Sequence, residues 1–247
     1  MEKIRLDQLL VQRGLAETGA RAQALILAGK IRAPGVKKLK PGEKVATDQP
    51  LELIEDLPYV SRGGLKMRAA LDAFGVDPKG RVCVDIGAST GGFTDCLLQA
   101  GAKKVLAVDV GHGQLHWKLR NDPRVVNREK CHALKLSRAD VDAFAEGDRA
   151  GLVTVDVSFI SLEKVLPALA ALFDAGTEFI VLVKPQFEAG PKDAPKGVVR
   201  DPAVRERVRR ETTARALAAG FAVRGDIDCP VLGPEGNREM LMRLVRQ

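Results

Sequence analysis

The sequence predicts an α/β protein: a doubly wound sheet domain preceded by a small α+β domain. Three observations carry this reading. From residue 63 onward, short apolar runs alternate with helical stretches, the pattern of strands covered by helices on both faces. The apolar run 82–86 leads directly into the glycine-rich GASTGG of 87–92, as happens where a strand ends and a helix opens. The first 46 residues hold ten Lys/Arg against four Asp/Glu while the remainder is nearly balanced, so the chain changes character along its length. The predicted division is a small domain over 1–57, a linker over 58–62, where Pro58 discourages helix, and the sheet domain over 63–247.

In the small domain, Ile4, Leu6, Leu9 and Leu10 predict a helix over 4–14 that stops at Gly14. Ala22, Leu25 and Ile26 form the apolar face of a second helix over 18–28, ended by Gly29. The stretch IRAPGVKKLKPGEKV then alternates extended pieces with Pro-Gly turns, a small β-structure carrying lysines. In the large domain the expected order is helix 63–74, strand 82–86, helix 92–100, strand 104–109, helix 113–120, strand 124–127, strand 151–156, helix 161–173, strand 178–184, helix 202–219, strand 221–227 and strand 239–245. Asp201-Pro202 is a helix start, an N-cap followed by proline in the first turn.

Composition narrows the function classes. A chain of 247 residues that is 45% hydrophobic can bury a full core. Its formal charge of +7 favours a polyanionic partner, and its 4% aromatic content argues against an extended base-stacking platform. The four cysteines show no C-x-x-C spacing and read as reduced thiols. The N-terminus lacks a signal-peptide pattern, and no apolar run reaches the roughly 18 residues of a membrane helix. The expectation is a soluble, cytoplasmic protein with no membrane partner and no structural metal; its oligomeric state is not specified, a monomer being compatible with the sequence. His112 and His116 have metal-compatible spacing but no third ligand, and Trp117 and Phe159 read as core packing.

The loop VDIGASTGGFTD, 84–95, is the main chemical signal. Gly87, Gly91 and Gly92 allow sharp turns and close approach of a ligand, but their spacing differs from the G-x-G-x-x-G of dinucleotide binders. Asp85 would repel a pyrophosphate and attract the ammonium group of S-adenosylmethionine (SAM), so charge favours SAM over NAD. Asp109 ends the next apolar run 22 positions after Gly87, where an acid accepts hydrogen bonds from both ribose hydroxyls. Candidate cofactor contacts are Asp85, Gly87, Ser89, Thr90, Gly91, Gly92, Asp109 and Val110. Lys66, Asp156, Lys184 and Glu239 stand at strand ends or at the start of the sheet domain, where such a sheet would gather them over one crevice.

Two resemblances sharpen this. RLDQLLVQRGLA, ALILAGKI and KPGEKV resemble the S-four RNA-binding module, which implies that Arg5, Arg13, Arg21, Lys30, Arg32, Lys37 and Lys38 face RNA phosphates. Thr18-Gly19 and Pro34-Gly35 depart from that module's usual Ser-Arg and Asn-Gly. The strings SRGGLK, DIGASTGGFTD, VDVGHGQLHWKLR, DVSFISL, LVKPQFE and GPEGNRE are similar to the TlyA-type, haemolysin A-like branch of the FtsJ-like RNA ribose 2′-O-methyltransferases. The resemblance implies a Rossmann-like SAM-dependent methyltransferase sheet, a catalytic Lys66–Asp156–Lys184–Glu239 tetrad, and methylation of a cytidine ribose in ribosomal RNA or ribosomal subunits. The family's ERTNA reads EKCHA at 129–133, placing His132 where an Asn would meet the adenine edge. The alternatives are a non-enzymatic RNA-binding assembly factor, which would not need the tetrad, and an NAD-dependent oxidoreductase on the same sheet.

Overall fold

A computed structural model of the protein describes residues 3–36, 39–53 and 57–247. They divide into two compact units, Met1–Leu57 and Pro58–Gln247. Each has its own buried apolar core.

The first unit runs β1 (Lys3–Arg5), α1 (Leu6–Gln12), α2 (Gly19–Leu27), β2 (Ile31–Arg32), β3 (Lys44–Ala46) and β4 (Glu52–Leu53). Strands β1 and β3 pair antiparallel, as do β2 and β4. The helix expected over 4–14 is shorter, because Ile4 is drawn into a ladder opposite Val45. The first helical N–H groups of Leu6 and Asp7 donate to the carbonyls of Glu43 (2.8 Å) and Pro41 (3.1 Å), replacing a side-chain cap. Thr18, one of the departures noted above, accepts from the Arg21 N–H and caps α2. Leu6, Leu9, Leu10, Ala22, Ile26, Ile31 and Val45 meet in the small core.

The second unit runs α3 (Gly63–Phe74), β5 (Val82–Ile86), α4 (Gly92–Gln99), β6 (Lys104–Val108), α5 (Trp117–Arg120), β7 (Val125–Arg128), α6 (Arg138–Ala145), β8 (Ala150–Val155), α7 (Leu162–Ala170), β9 (Glu178–Val183), α8 (Pro185–Glu188), α9 (Pro202–Ala218), β10 (Phe221–Asp228) and β11 (Met240–Arg246). Its seven strands lie in the order β10-β11-β9-β8-β5-β6-β7. β5 to β9 are parallel, and β11 and β10 add antiparallel strands at one edge. Apolar cores on both faces show the doubly wound arrangement. From β5 the chain winds one way through β6 and β7, then crosses to β8 on the other side, so the crevice opens at the carboxyl ends of β5 and β8.

Residues 58–62, expected as a linker, pack within the second unit. The Val60 N–H donates to Asp95 Oδ2 (2.8 Å), Gln99 Nε2 donates to the Pro58 carbonyl (2.9 Å), and the Tyr59 ring lies against Gly64. The helix expected over 113–120 shrinks to α5, since Gly113 adopts φ +72°. Helix α6 was not expected; Ser137 and Asp140 form a reciprocal capping box at its start, with Asp standing where the usual signature has Glu or Gln. Asp201 caps α9 as expected, accepting from the Ala203 N–H (2.8 Å).

Candidate active site

Each tetrad side chain is delivered by an element end. Lys66 projects from the first turn of α3, Asp156 follows β8, Lys184 is the N-cap of α8 directly after β9, and Glu239 precedes β11. All four line one cavity of about 250 Å³ together with Gly87 and Ser89 of the glycine loop. They form two ion pairs: Lys66 Nζ to Glu239 Oε2 at 2.5 Å, and Lys184 Nζ to Asp156 Oδ1 at 2.5 Å. The second is a close ion pair without hydrogen-bond alignment at Oδ1; the aligned partner of Lys184 Nζ is the Ser158 hydroxyl at 2.8 Å. Glu239 is buried, and Gln186 Nε2 donates to its other oxygen at 3.3 Å. Ser158 and Gln186 were not anticipated; both sit two residues beyond a tetrad member, in DVSF and KPQF, which is the signal that could have found them.

A second cavity, of about 300 Å³, shares Gly87, Ser89 and Asp156 with the first and extends past Asp109 and Val110 to His132. Gly87 has φ +85°, and a Cβ there would collide with the carbonyl oxygen of Asp156, so only glycine fits this turn. Asp109 is oriented from both sides: Oδ1 accepts from the Gly111 N–H (2.6 Å) and Oδ2 from the Ser89 N–H (2.8 Å). Each oxygen keeps a lone pair for a further donor. Val110 is 67% exposed, an apolar surface beside that carboxylate. His132 Nδ1 accepts from the Leu134 N–H (3.2 Å). The loop 110–116 on this side is fastened by Glu129, which accepts from the Gly113 N–H (2.9 Å) and from Arg120 (2.7 Å). The Gly113 bond, with Asn127, Arg120 and His112 adding to it against a smaller opposing effect of burial, holds the Glu129 carboxyl down at about 2.

Three expected cofactor contacts lie outside both cavities. Asp85 is fully buried and lines neither cavity; its oxygens accept from the hydroxyls of Thr94 (2.6 Å) and Thr154 (2.8 Å). Burial pushes its carboxyl up to about 6, against the opposing pull of those two hydroxyls. It ties the glycine-loop helix α4 to β8. Thr90 is exposed and lines neither cavity. Gly91 is buried against α5, where a Cβ would collide with Leu119. Gly92, by contrast, lines the tetrad cavity while lying against Gly63 and Gly64 of α3.

Trp117 and Phe159, expected in the core, are 70% and 90% exposed. Phe159 adopts φ +63° in the sharp turn after β8, which swings its ring out to the cavity rim, 5.1 Å from Phe187. His112 Nδ1 lies 2.8 Å from Glu129, and His116 caps α5. Among the described residues no group of three or more His, Cys, Asp or Glu is placed to hold a metal ion. Cys229 is buried, burial pushes its thiol up, and its N–H donates to the Glu239 carbonyl (2.9 Å).

The RNA-facing candidates divide. Arg13 donates to the carbonyls of Gln49 (2.7 Å) and Thr47 (2.6 Å), bracing its own unit. Arg5 pairs with Asp7 at 2.7 Å and Arg32 with Glu52 at 3.3 Å. Arg21 is exposed and Lys30 half-buried. Lys37 and Lys38 lie outside the described residues. No helix among the described residues is long and apolar enough to cross a membrane.

Comparison with known proteins agrees with this geometry. The FtsJ-like methyltransferase family model matches residues 59–246. The chain is 47% identical over 245 residues to YqxC of Bacillus subtilis, named as a candidate rRNA methyltransferase, covering 98% of this chain and 86% of that one. It is 44% identical over 248 residues to the 16S/23S rRNA (cytidine-2′-O)-methyltransferase TlyA of Mycobacterium tuberculosis, covering 99% of this chain and 91% of that one. A solved structure of a candidate hemolysin from Streptococcus thermophilus superposes with a TM-score of 0.76 at 44% identity, covering 100% of this chain and 90% of that one. A strand-end crevice holding two Lys-carboxylate pairs, a family match over the whole second unit and full-length relatives at this identity agree: the chain belongs to the FtsJ-like methyltransferase family.

Proposed function

We propose that this protein transfers a methyl group from SAM to the ribose 2′-hydroxyl of a cytidine in ribosomal RNA. The observation that carries the reading is the convergence of Lys66, Asp156, Lys184 and Glu239 on one cavity that shares a wall with the strand-end crevice. The crevice suits a nucleoside-bearing cofactor: Asp109 offers two preoriented acceptors for ribose hydroxyls, Val110 an apolar face, and Gly87 the clearance that a side chain would fill. SAM, when bound, supplies an electrophilic methyl group on a sulfonium.

The residues of the chain do the rest. A ribose hydroxyl in the tetrad cavity meets Lys184 Nζ, itself fixed by Asp156 and Ser158, so its lone pair is steered along one direction. With SAM bound, the hydroxyl oxygen would take the methyl group while its proton passes to the Lys184–Asp156 pair, Lys184 Nζ receiving it once its own proton has gone to Asp156. Lys66 and Glu239 neutralise each other in direct contact at the cavity wall, which lets a neutral hydroxyl enter without meeting net charge. Alignment of this kind can supply about 7–11 kcal/mol of barrier reduction, against about 10²–10⁴-fold for a positioned base, so positioning is the larger contribution.

In the first unit, the exposed Arg21, with Arg5 and Arg32 exchanging Asp7 and Glu52 for phosphates, gives an S-four-like RNA-binding module its cations. The name of the Mycobacterium tuberculosis relative supports cytidine in ribosomal RNA as the substrate. A nicotinamide enzyme on the same sheet would leave the tetrad without a task, and a purely RNA-binding assembly factor would need neither cavity. The test is to map ribose 2′-O-methyl marks in ribosomal RNA from cells with and without this protein. A cytidine mark that disappears without it supports the reading, and an unchanged map refutes it.

A further inference from the structure

Glu188 carries a buried charge that the reaction above does not use. Its side chain is 2% exposed, and it accepts hydrogen bonds from the Ser161 hydroxyl (2.7 Å), the Leu162 N–H (2.8 Å) and Arg215 of α9 (3.0 Å). Its place in the chain gives these contacts meaning. Helix α8 is a single turn with Lys184 at its N-cap and Glu188 at its last position. The segment Asp156–Ser161 runs alongside, beginning with the carboxylate that pairs with Lys184 and ending with the hydroxyl that Glu188 binds.

The two segments are therefore joined at both ends. At one end Lys184 Nζ meets Asp156 (2.5 Å) and Ser158 (2.8 Å); at the other Glu188 holds Ser161 and Leu162. Between these ends the turn is under strain, since Phe159 adopts φ +63° with its ring 90% exposed. A non-glycine residue in that conformation persists only where its surroundings over-determine it. Arg215, which also reaches Glu163 and Glu211, compensates the buried carboxylate and fixes its direction.

We propose that Glu188, held by Arg215, is a positioning residue for methyl transfer: it closes the clamp that keeps Asp156 and Ser158 on Lys184. This rests on reading the tetrad cavity as the site of methyl transfer. Helix capping and ion pairing alone would make Glu188 a stability residue, and the two roles separate experimentally.

The test uses the full-length protein with the variants Glu188→Gln and Arg215→Lys, the second retaining the charge. Measured are single-turnover methylation of ribosomal RNA, SAM affinity by calorimetry, unfolding temperature, and hydrogen exchange of the peptide covering 156–162. Glu188→Gln should slow methylation at least 30-fold while SAM affinity stays within threefold and the protein remains folded at the assay temperature; Arg215→Lys should lose less. Ser158→Ala combined with Glu188→Gln should be no slower than the worse single variant, because both act through Lys184. Additive losses, or a wild-type rate in a folded Glu188→Gln protein, would overturn the proposal. Hydrogen exchange tests the clamp without turnover: faster exchange over 156–162 in Glu188→Gln supports it, and unchanged exchange overturns it. A wild-type protein that fails to methylate would refute the reading of the cavity, leaving the clamp to be judged by exchange alone.

Discussion

At the scale of single residues, Lys184 and Asp85 show how environment decides role. Lys184 has its Nζ in the tetrad cavity with Asp156 and Ser158 as partners. Replacing it with Ala should reduce turnover by at least 10²-fold while leaving SAM affinity within a few-fold, because Asp109 and Val110 are untouched; retained methylation would remove Lys184 from the mechanism. Asp85 is the opposite case, a carboxylate spent on structure. Its folded value of about 6 stands above the 3.8 of an ordinary aspartate. Between those two values the folded protein holds a proton that the unfolded chain has released, so stability falls as pH rises from about 4 to about 6 and levels off above. The full span corresponds to about 3 kcal/mol. Asp85→Asn has no such proton to lose. Urea unfolding across that range should show the wild-type-minus-variant difference declining with pH, and a flat difference would refute the assignment. The sequence made Asp85 conspicuous but could not orient it, because β5 is buried on both faces and its alternation carries no polarity cue.

At the scale of elements, strand ends were legible and turns were not. The apolar runs marked where β5, β6, β8 and β9 stop, and that was enough to put Gly87, Asp109, Asp156 and Lys184 around one crevice. What escaped were features set by tertiary hydrogen bonds: β1 shortening α1, Glu129 fastening the loop ahead of α5, and an Asp serving in the capping box of α6. The turn after β8 belongs with these, since the outward swing of Phe159 follows from a left-handed backbone that DVSF does not announce. That turn gives a prediction. Phe159→Gly removes a ring that buries almost nothing and relieves a conformation costing about 1–3 kcal/mol, offset by the flexibility glycine adds to the unfolded chain. The variant should be no less stable than the parent, within about 1 kcal/mol by chemical denaturation, yet slower in methylation by roughly tenfold, since the ring at the cavity rim is lost. Loss of stability without loss of rate would show that the turn serves only the fold.

At the scale of the whole molecule, the two units keep separate cores, and the first 46 residues concentrate ten Lys/Arg against four Asp/Glu, with acids following before the unit ends. The division of labour was legible from the strings RLDQLLVQRGLA, ALILAGKI and KPGEKV and the cations among them, but how many of those cations can meet RNA was not, because a basic residue looks the same in sequence whether it faces solvent or braces its own fold. Arg13 is the instance: its guanidinium is committed to two carbonyls, so Arg13→Ala should weaken the first unit's stability rather than its phosphate contacts. The cations that remain set the salt dependence of RNA binding. Each phosphate they neutralise releases counterions, giving a slope of log affinity against log salt of about −0.7 per contact on single strands and about −0.9 on duplex. With about four contacts, raising salt from about 50 to about 200 mM should weaken ribosomal RNA binding by roughly 10²-fold. Arg21 is exposed, and only its backbone N–H, not its guanidinium, is used by the Thr18 cap, so Arg21→Ala should make the slope shallower by about one contact and leave SAM affinity unchanged. Filter binding or anisotropy at four or more salt concentrations measures both slopes. A full-length slope shallower than about −1 would mean that the basic first unit does not hold RNA through its phosphates, and the capture role assigned to it would have to be given up.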